Sequence, residues 1–304
     1  MSILPQLIVN GLISGSTIAL IAVGLSLIYG VLKFMNFAHG EIAMLGAYFY
    51  YYFFIHLSWA VLPSMGVSIL LCVFVGLLFN RLIFWPLRAQ SQWTLLIVSV
   101  GVGMFIKNSL QLVGTGETRS YAREGYETAV YHFWDGGVII TGNQIAIIFS
   151  ALVLVVGLFF FLKKSKLGKS IRAVSDNMSL ASVVGIDIRR SVDWIFMISS
   201  GIAGFAGILI AYEESLTPNV GQMLSIKAFV AVILGGLGSI PGALAGGLTL
   251  GLIQDLSTGL TFVGFSIPSS YKSLILFSVL ILCLIFKPRG LFGISLEEDK
   301  SQKE

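Results

Sequence analysis

The sequence predicts an all-α polytopic membrane protein with about eight hydrophobic segments, one of which is broken. Hydrophobic residues make up 56% of the 304 residues, charged residues make up 11%, and the mean hydropathy is +0.91. A bilayer span takes about 20 apolar residues, so the chain has room for roughly seven to nine spans. Little length remains for a soluble domain, and we expect a single transmembrane domain over residues 1–304.

The first apolar segment is expected to be a retained span. No basic residue precedes it, and the first cation of the chain, Lys33, follows it, which is not the arrangement of a cleaved signal peptide. The eight apolar segments lie at 7–32, 42–57, 60–80, 94–113, 143–162, 194–212, 226–255 and 271–286.

Polar residues gather between the first two segments, at a predicted membrane boundary. They are Asn36, His39 and Glu41, and Gly40 lies among them. Polar and charged groups at membrane depth are costly and usually face a cavity or a partner, so these residues are candidates for a substrate pathway. The alternative is structural, because Glu41 can stabilise the first turn of the second helix at the membrane interface.

The loop 163–193 carries the strongest topological signal. Its charged residues are basic at Lys163, Lys164, Lys166, Lys169, Arg172, Arg189 and Arg190, and acidic at Asp176, Asp187 and Asp193. Loops rich in Lys and Arg remain in the cytoplasm, so we place this loop there. Counting spans outward puts the N-terminus and the loop 114–142 outside. Topology therefore accounts for the net charge of +4, and no nucleic acid partner is expected.

The same loop contains the pattern of a short amphipathic helix. Asp176 or Asn177 can cap its start, and the apolar residues Met178, Ala181 and Val184 recur at helical spacing on one face. Gly185 suits the left-handed residue after a helix end, shortly before Asp187. A helix this short is marginal in water, so we expect it to pack against the bundle or a partner subunit.

The segment 226–255 must be the exception to simple crossing. The tail that begins at Lys287 and includes 295–304 should be cytoplasmic, but eight full crossings would leave it outside. Glycines and a proline interrupt this segment, which predicts a broken re-entrant hairpin with a helix start inside the membrane. Such a start attracts a carboxylate or a carbonyl oxygen. The candidate pathway residues here are Gly235, Gly236, Gly238 and Ser239, with Ser239 as cap and Pro241 in the first turn.

A packing role explains some of the same glycines. Gly242 and Gly246, and likewise Gly247 and Gly251, are spaced for close contact between helices. The two interpretations are compatible, because a hairpin can be both broken and closely packed.

Few features indicate catalysis. His39, His56 and His132 lie far apart in the sequence without metal-ligand spacing. Cys72 and Cys283 lie in apolar segments with no second ligand nearby. We therefore expect no catalytic residue, metal site or cofactor in this chain.

Four segments together resemble a known family. The chain is similar over nearly its whole length to the LivH-like permease subunits of bacterial ABC importers for branched-chain and other hydrophobic amino acids. The matching segments are Asn36 to Glu41 (N-F-A-H-G-E), Gly168 to Asp187, Ala228 to Gly242 (A-F-V-A-V-I-L-G-G-L-G-S-I-P-G) and Lys287 to Gly290 (K-P-R-G).

The resemblance implies a set of partners and a location. Such a permease lies in the bacterial inner membrane and forms the translocation pathway with a second, related permease. Two cytoplasmic subunits bind and hydrolyse ATP with Mg²⁺, and an extracytoplasmic solute-binding protein delivers the substrate. By the same resemblance, the coupling helix that docks into an ATPase subunit would carry Asp176, Met178, Ala181, Val184, Gly185 and Asp187.

Other functions stay open at this point. Permeases for urea and short amides resemble this chain over the same motifs, but a pathway lined by apolar side chains favours amino acids. An ion-coupled secondary transporter would use His39 and Glu41 as a relay, and paired broken helices would be expected in it. An intramembrane enzyme is the least favoured class.

Overall fold

The fold is an all-helical bundle with two small β-hairpins. A computed structural model describes residues 4–114, 118–121, 128–133, 138–259, 261–262, 265–266, 268, 271–287 and 290–292. The helices are α1 (Leu4–Leu32), α2 (Ala38–Tyr51), α3 (Val61–Phe79), α4 (Trp85–Leu87), α5 (Gln92–Gly114), α6 (Gly142–Lys164), α7 (Lys166–Asp176), α8 (Met178–Val183), α9 (Ile188–Glu213), α10 (Val220–Gly235), α11 (Ile240–Gly259) and α12 (Lys272–Phe286). The strands are β1 (Val130–Phe133), β2 (Val138–Thr141), β3 (Thr261–Phe262) and β4 (Phe265–Ser266). π-Helical turns at Tyr52–His56 and Asn80–Phe84 extend α2 and join α3 to α4.

All eight predicted apolar segments are helical, which confirms the predicted fold class. Among the described residues, five helices are long and apolar enough to cross a membrane, and they are Leu4–Leu32, Val61–Leu87, Gln92–Val113, Gly142–Lys164 and Ile188–Glu213. α10 and α11 meet the same criterion together but are bent by 116°. α12 is a shorter apolar helix.

α1 lies at the centre of the bundle and packs most extensively along α11. The two helices run antiparallel, because Gly11 of α1 lies against Leu252 while Gly15 lies against Leu248. A Cβ atom added to Gly15 would stand only 2.9 Å from the Leu248 Cα, so the two backbones are in direct contact. Small residues permit this approach where no hydrophobic force draws helices together in lipid.

The glycines of α11 lie on two contact faces. Gly247 packs against Ala19 of α1 and Gly251 against Gly15, whereas Gly246 packs against Ala231 of α10. The structure thus shows the packing role that the glycine spacing indicates.

One end of the bundle, which we call the α7 end, gathers α7, α8 and several basic residues. Ser175 of α7 donates a hydrogen bond of 2.9 Å to the carbonyl of Gly30, near the end of α1. Asp193, near the start of α9, accepts bonds from Arg81 at 2.9 Å and from Asn80 at 2.7 Å. These bonds fix the end of α7 to the end of α1, and the turn after α3 to the start of α9.

The opposite end, which we call the hairpin end, carries β1 and β2. Gln6 of α1 accepts a hydrogen bond of 2.8 Å from the Ile139 amide of β2, so the start of α1 lies here. Tyr121 donates a bond of 2.9 Å to the Ala47 carbonyl of α2. Burial raises the pKa of Tyr121 well above its usual value, so its hydroxyl remains a donor.

Candidate functional site

The break between α10 and α11 is the most distinctive local feature of the bundle. α10 ends at Gly235, α11 begins at Ile240, and the helices are bent by 116° across the break. Gly236 and Gly238 adopt φ angles of +113° and +81°, which residues with a Cβ atom rarely adopt. The predicted break is confirmed, and glycine is required at these two positions.

The start of α11 is capped as predicted. The Ser239 hydroxyl accepts a hydrogen bond of 3.1 Å from the Gly242 amide, and Pro241 occupies the first turn. Ser239 therefore satisfies one of the free amides at this helix start.

The break lies at the α7 end of the bundle, level with the last turn of α1. Gly238 stands beside Gly30, close to the end of α1 and to Ser175 of α7. The lengths of the two helices explain this position. α10 has 16 residues and α11 has 20, so α10 reaches the level of the end of α1 before the chain turns. α11 then returns along α1 towards the hairpin end.

The C-terminal segment covers the break. The amides of Leu291 and Phe292 donate to the carbonyls of Leu234 and Gly235 at 2.8 and 2.9 Å. These carbonyls belong to the last turn of α10, and the carbonyls of a last turn have no hydrogen-bond partner within their own helix. Gly290, with a φ of +73°, lies against Gly236. The sequence signal for this contact was a glycine shortly after the last apolar segment, but nothing in it identified the partner.

The second candidate group is a set of buried polar side chains at the start of α2, and we use the name polar pocket for this set. Asn36, His39 and Glu41 are exposed by 1%, 1% and 3%. Asn36 accepts a bond of 3.1 Å from the Ala38 amide, while its Nδ2 atom and the Oε2 atom of Glu41 have no hydrogen-bond partner among the described residues. Such buried polar atoms are costly unless a water or a ligand pairs with them.

α10 completes this polar pocket with residues that sequence reasoning did not assign. Ser225 accepts a bond of 3.0 Å from the Gly40 amide and donates one of 2.8 Å to the Phe37 carbonyl. Gly221 lies against both Gly40 and Glu41. The only available signal was a lone hydroxyl in an apolar helix, which does not reveal its partner.

Glu41 agrees in part with both interpretations, a residue of the substrate pathway and a residue that stabilises the start of α2. It stands in the first turn of α2, where an acidic side chain is favourable, but it is buried. His39 packs against Gly24 of α1, where an added Cβ atom would lie 2.6 Å from its Nε2.

The two groups of candidate pathway residues do not meet. The polar pocket contacts α10 at Ser225, whereas the break follows Gly235, and ten residues of helix rise about 15 Å. α10 therefore links two separate sites.

The predicted helix in the basic loop is α8, with differences in detail. Asn177 caps it and accepts a bond of 3.0 Å from the Leu180 amide, whereas Asp176 is the last residue of α7. Gly185 has a φ of +82°, as expected after a helix end. Asp187 caps α9 by accepting a bond of 3.0 Å from the Arg190 amide.

The predicted common face of α8 is wrong at Val184. Met178 and Ala181 pack against the bundle, but the helix ends at Val183, and Val184 is 78% exposed. The exposed apolar residues are Leu180, Val183 and Val184.

Part of the prediction falls on residues outside those that the structure describes. These are the tail 295–304, Pro288 and Arg289, and the parts 115–117, 122–127 and 134–137 of the loop 114–142.

Comparison with known proteins decides the family. Residues 7–284 match the family described as "Branched-chain amino acid transport system / permease component". The chain belongs to this family. This permease is 32% identical over 300 residues to the high-affinity branched-chain amino acid transport system permease protein BraD of Pseudomonas aeruginosa, with 95% of each chain covered. It is 31% identical over 298 residues to LivH of Escherichia coli, again with 95% of each chain covered.

One solved structure is similar to this permease, and the similarity supports only the fold. It is described as "PsaBC from Streptococcus pneumoniae in complex with Fab", and the match has a TM-score of 0.50 at 10% identity. The match covers 96% of the permease and 94% of that chain.

The family assignment confirms the resemblance drawn from the four motifs. The permease is a multi-pass, non-catalytic component of a branched-chain amino acid ABC transport system. This selects the importer component over the ion-coupled transporter and the enzyme.

We predict that replacing Gly290 with valine will distort the break. A β-branched residue at a φ of +73° is strained by about 1–3 kcal/mol, and its side chain would collide with Gly236. Thermal unfolding of the purified complex should occur at a lower temperature, and initial uptake should fall several-fold. Gly66→Val is the matched control, because no atom lies within 4 Å of a Cβ atom at Gly66. Equal behaviour of the two variants would show that the C-terminal segment does not hold the break.

Proposed function

We propose that this permease carries amino acids with branched apolar side chains across the bacterial inner membrane, together with a second, related permease. BraD and LivH, whose names state this substrate class, align with the chain over 95% of its length, and this observation carries the proposal. Urea or a short amide is the second candidate substrate. The bundle favours amino acids, because apolar side chains dominate its interior.

The proposed orientation places the α7 end in the cytoplasm and the hairpin end outside. Arg81, Lys163, Arg189 and Lys287 belong to elements that meet at the α7 end. Concentration of basic residues at one end supports a cytoplasmic location for it. The solute-binding protein would then meet the hairpin end, including the loop 114–142, and the tail 295–304 would be cytoplasmic.

The polar pocket is the proposed contact with substrate during passage. Its unpaired Glu41 oxygen and Asn36 amide are suited to a substrate ammonium and carboxylate, respectively. His39 and Gly40 shape the pocket against α1 and α10. The break, with Gly235, Gly236, Gly238 and Ser239, would form the cytoplasmic exit of the same pathway.

The exposed part of α8 is the proposed docking surface for an ATPase subunit. Leu180, Val183 and Val184 are exposed by 63%, 84% and 78%. Leu180 and Val183 belong to α8, Val184 directly follows it, and Ala181 fixes α8 to the bundle. Met178, Asp176, Gly185 and Asp187 would hold this surface in place, as the cap and helix-end positions around it suggest. ATP and Mg²⁺ would bind to two such subunits and not to this chain.

Substrate choice can be tested by competition. In proteoliposomes that contain the full complex and its solute-binding protein, excess unlabelled leucine should abolish uptake of labelled leucine. Excess urea should leave it unchanged, because urea lacks the charged groups and the apolar side chain. Uptake of labelled urea, with no uptake of leucine, would replace the amino acid proposal with the amide one.

Replacing Ser225 with alanine tests the polar pocket. The change removes both hydrogen bonds that connect α10 to the start of α2, each worth about 1 kcal/mol. We expect slower uptake at every substrate concentration, with normal assembly. Ser150→Ala is the control, since among the described residues Ser150 donates its hydrogen bond to the Ile147 carbonyl of its own helix. Unchanged uptake in the Ser225 variant would show that the polar pocket is not part of the substrate pathway.

Replacing Val183 with aspartate tests the docking surface. A charge on an apolar contact should weaken binding of the ATPase subunits or uncouple ATP hydrolysis from uptake, without changing the fold of the permease, because Val183 is 84% exposed. Co-purification and the ratio of ATP hydrolysed to substrate carried measure the two effects. Ser179→Asp, at a polar exposed position of the same helix, is the control. Full coupling in both variants would rule out this surface.

A further inference from the structure

A cavity of about 430 Å³ lies at the α7 end, between the last turns of α1, the end of α6, α7 and the break. Small-molecule sites commonly have volumes of roughly 300–1,000 Å³, so this cavity is large enough for a small solute. Its polar lining is Ser26, Lys163, Arg172, Ser175, Asp176 and Ser239, and its apolar lining includes Val31 and Ile171.

One side chain of the lining is fully buried. Ser26 is 0% exposed, and its Oγ atom has no hydrogen-bond partner among the described residues. Its hydroxyl therefore lies behind the cavity surface and takes no part in the proposed contact.

The remaining polar groups present both signs of charge. Arg172 and Asp176 stand four residues apart on α7, so they are neighbours on one helix face. The start of α11, a helix of 20 residues capped by Ser239, faces the same cavity and adds a partial positive charge. Lys163 also borders the cavity. The cations and the helix start outweigh Asp176, so the cavity attracts an anionic group, and Asp176 adds a partner for an ammonium group; a zwitterion would use both.

We propose that this cavity binds a free amino acid with a branched apolar side chain from the cytoplasmic side. The substrate carboxylate would bind Arg172 and the start of α11, and its ammonium group would bind Asp176. The apolar side chain would lie against Val31 and Ile171. This inference rests on the proposed function for the substrate class and for the orientation of the α7 end.

Occupation of the cavity would act as a brake on import. The cavity lies between α7 and the break, beside the hydrogen bond from Ser175 to Gly30. A ligand there would join α7 to α11 and resist relative movement of the two helices. Product that accumulates in the cytoplasm would therefore slow further uptake.

The test uses proteoliposomes of the full complex, with ATP inside and solute-binding protein outside, so that the lumen represents the cytoplasm. Unlabelled leucine loaded in the lumen should slow the initial uptake of labelled leucine by the unaltered complex. In Arg172→Gln the lumenal leucine concentration for half inhibition should rise about tenfold, the effect of losing one charge-assisted hydrogen bond.

Lys169→Gln is the matched control, because Lys169 is an exposed cation of α7 outside the cavity lining. Uptake without lumenal leucine should be equal in all these variants. Normal uptake that lumenal leucine does not slow would overturn the cavity site and leave the proposed function intact. Absence of leucine uptake by the unaltered complex would instead overturn the proposed function. If lumenal leucine has no effect, and an anionic phospholipid co-purifies with the unaltered complex but not with Arg172→Gln, the cavity is a lipid site and the proposal is wrong.

Discussion

Direct backbone contact between α1 and α11 is the constraint on which the rest of the bundle depends. Gly11 and Gly15 of α1 meet α11, while Gly247 and Gly251 of α11 meet α1, so neither helix tolerates a larger residue at these positions. In lipid, such packing replaces the hydrophobic effect as the source of helix association. The contact fixes the position of α11 along the axis of α1, and with it the position of the break between α10 and α11.

That position determines what surrounds the break. Because α11 starts level with Gly30, the carbonyls at the end of α10 that lack a partner within the helix reach the α7 end, where Leu291 and Phe292 pair with them. Ser175 of α7 bonds to the carbonyl of Gly30 at the same place. Glycine packing in the membrane thereby brings the basic loop, the C-terminal segment and the broken helix to one location.

The sequence was sufficient for features that local chemistry determines. Ser239, followed by Pro241, predicts a capped helix start, and Gly185 predicts a left-handed helix end; both are observed. The depth of the break was not predictable, because it depends on the register of α11 against α1. Ser225 was missed for the same reason, since its partners Gly40 and Phe37 lie far away in the chain.

The fold suggests how events at the two ends of α10 are related. Ser225 joins one end of this helix to the polar pocket, and Leu291 and Phe292 hold the other end at the break. A helix transmits axial displacement with little loss, because its hydrogen bonds run along its axis. A shift of α7 that altered the contact at Gly30 would act on the glycine-rich turn, where Gly236 and Gly238 give the backbone freedom that helices lack. The break is therefore the place where the backbone can bend, and α10 is the element that would carry this displacement to the polar pocket.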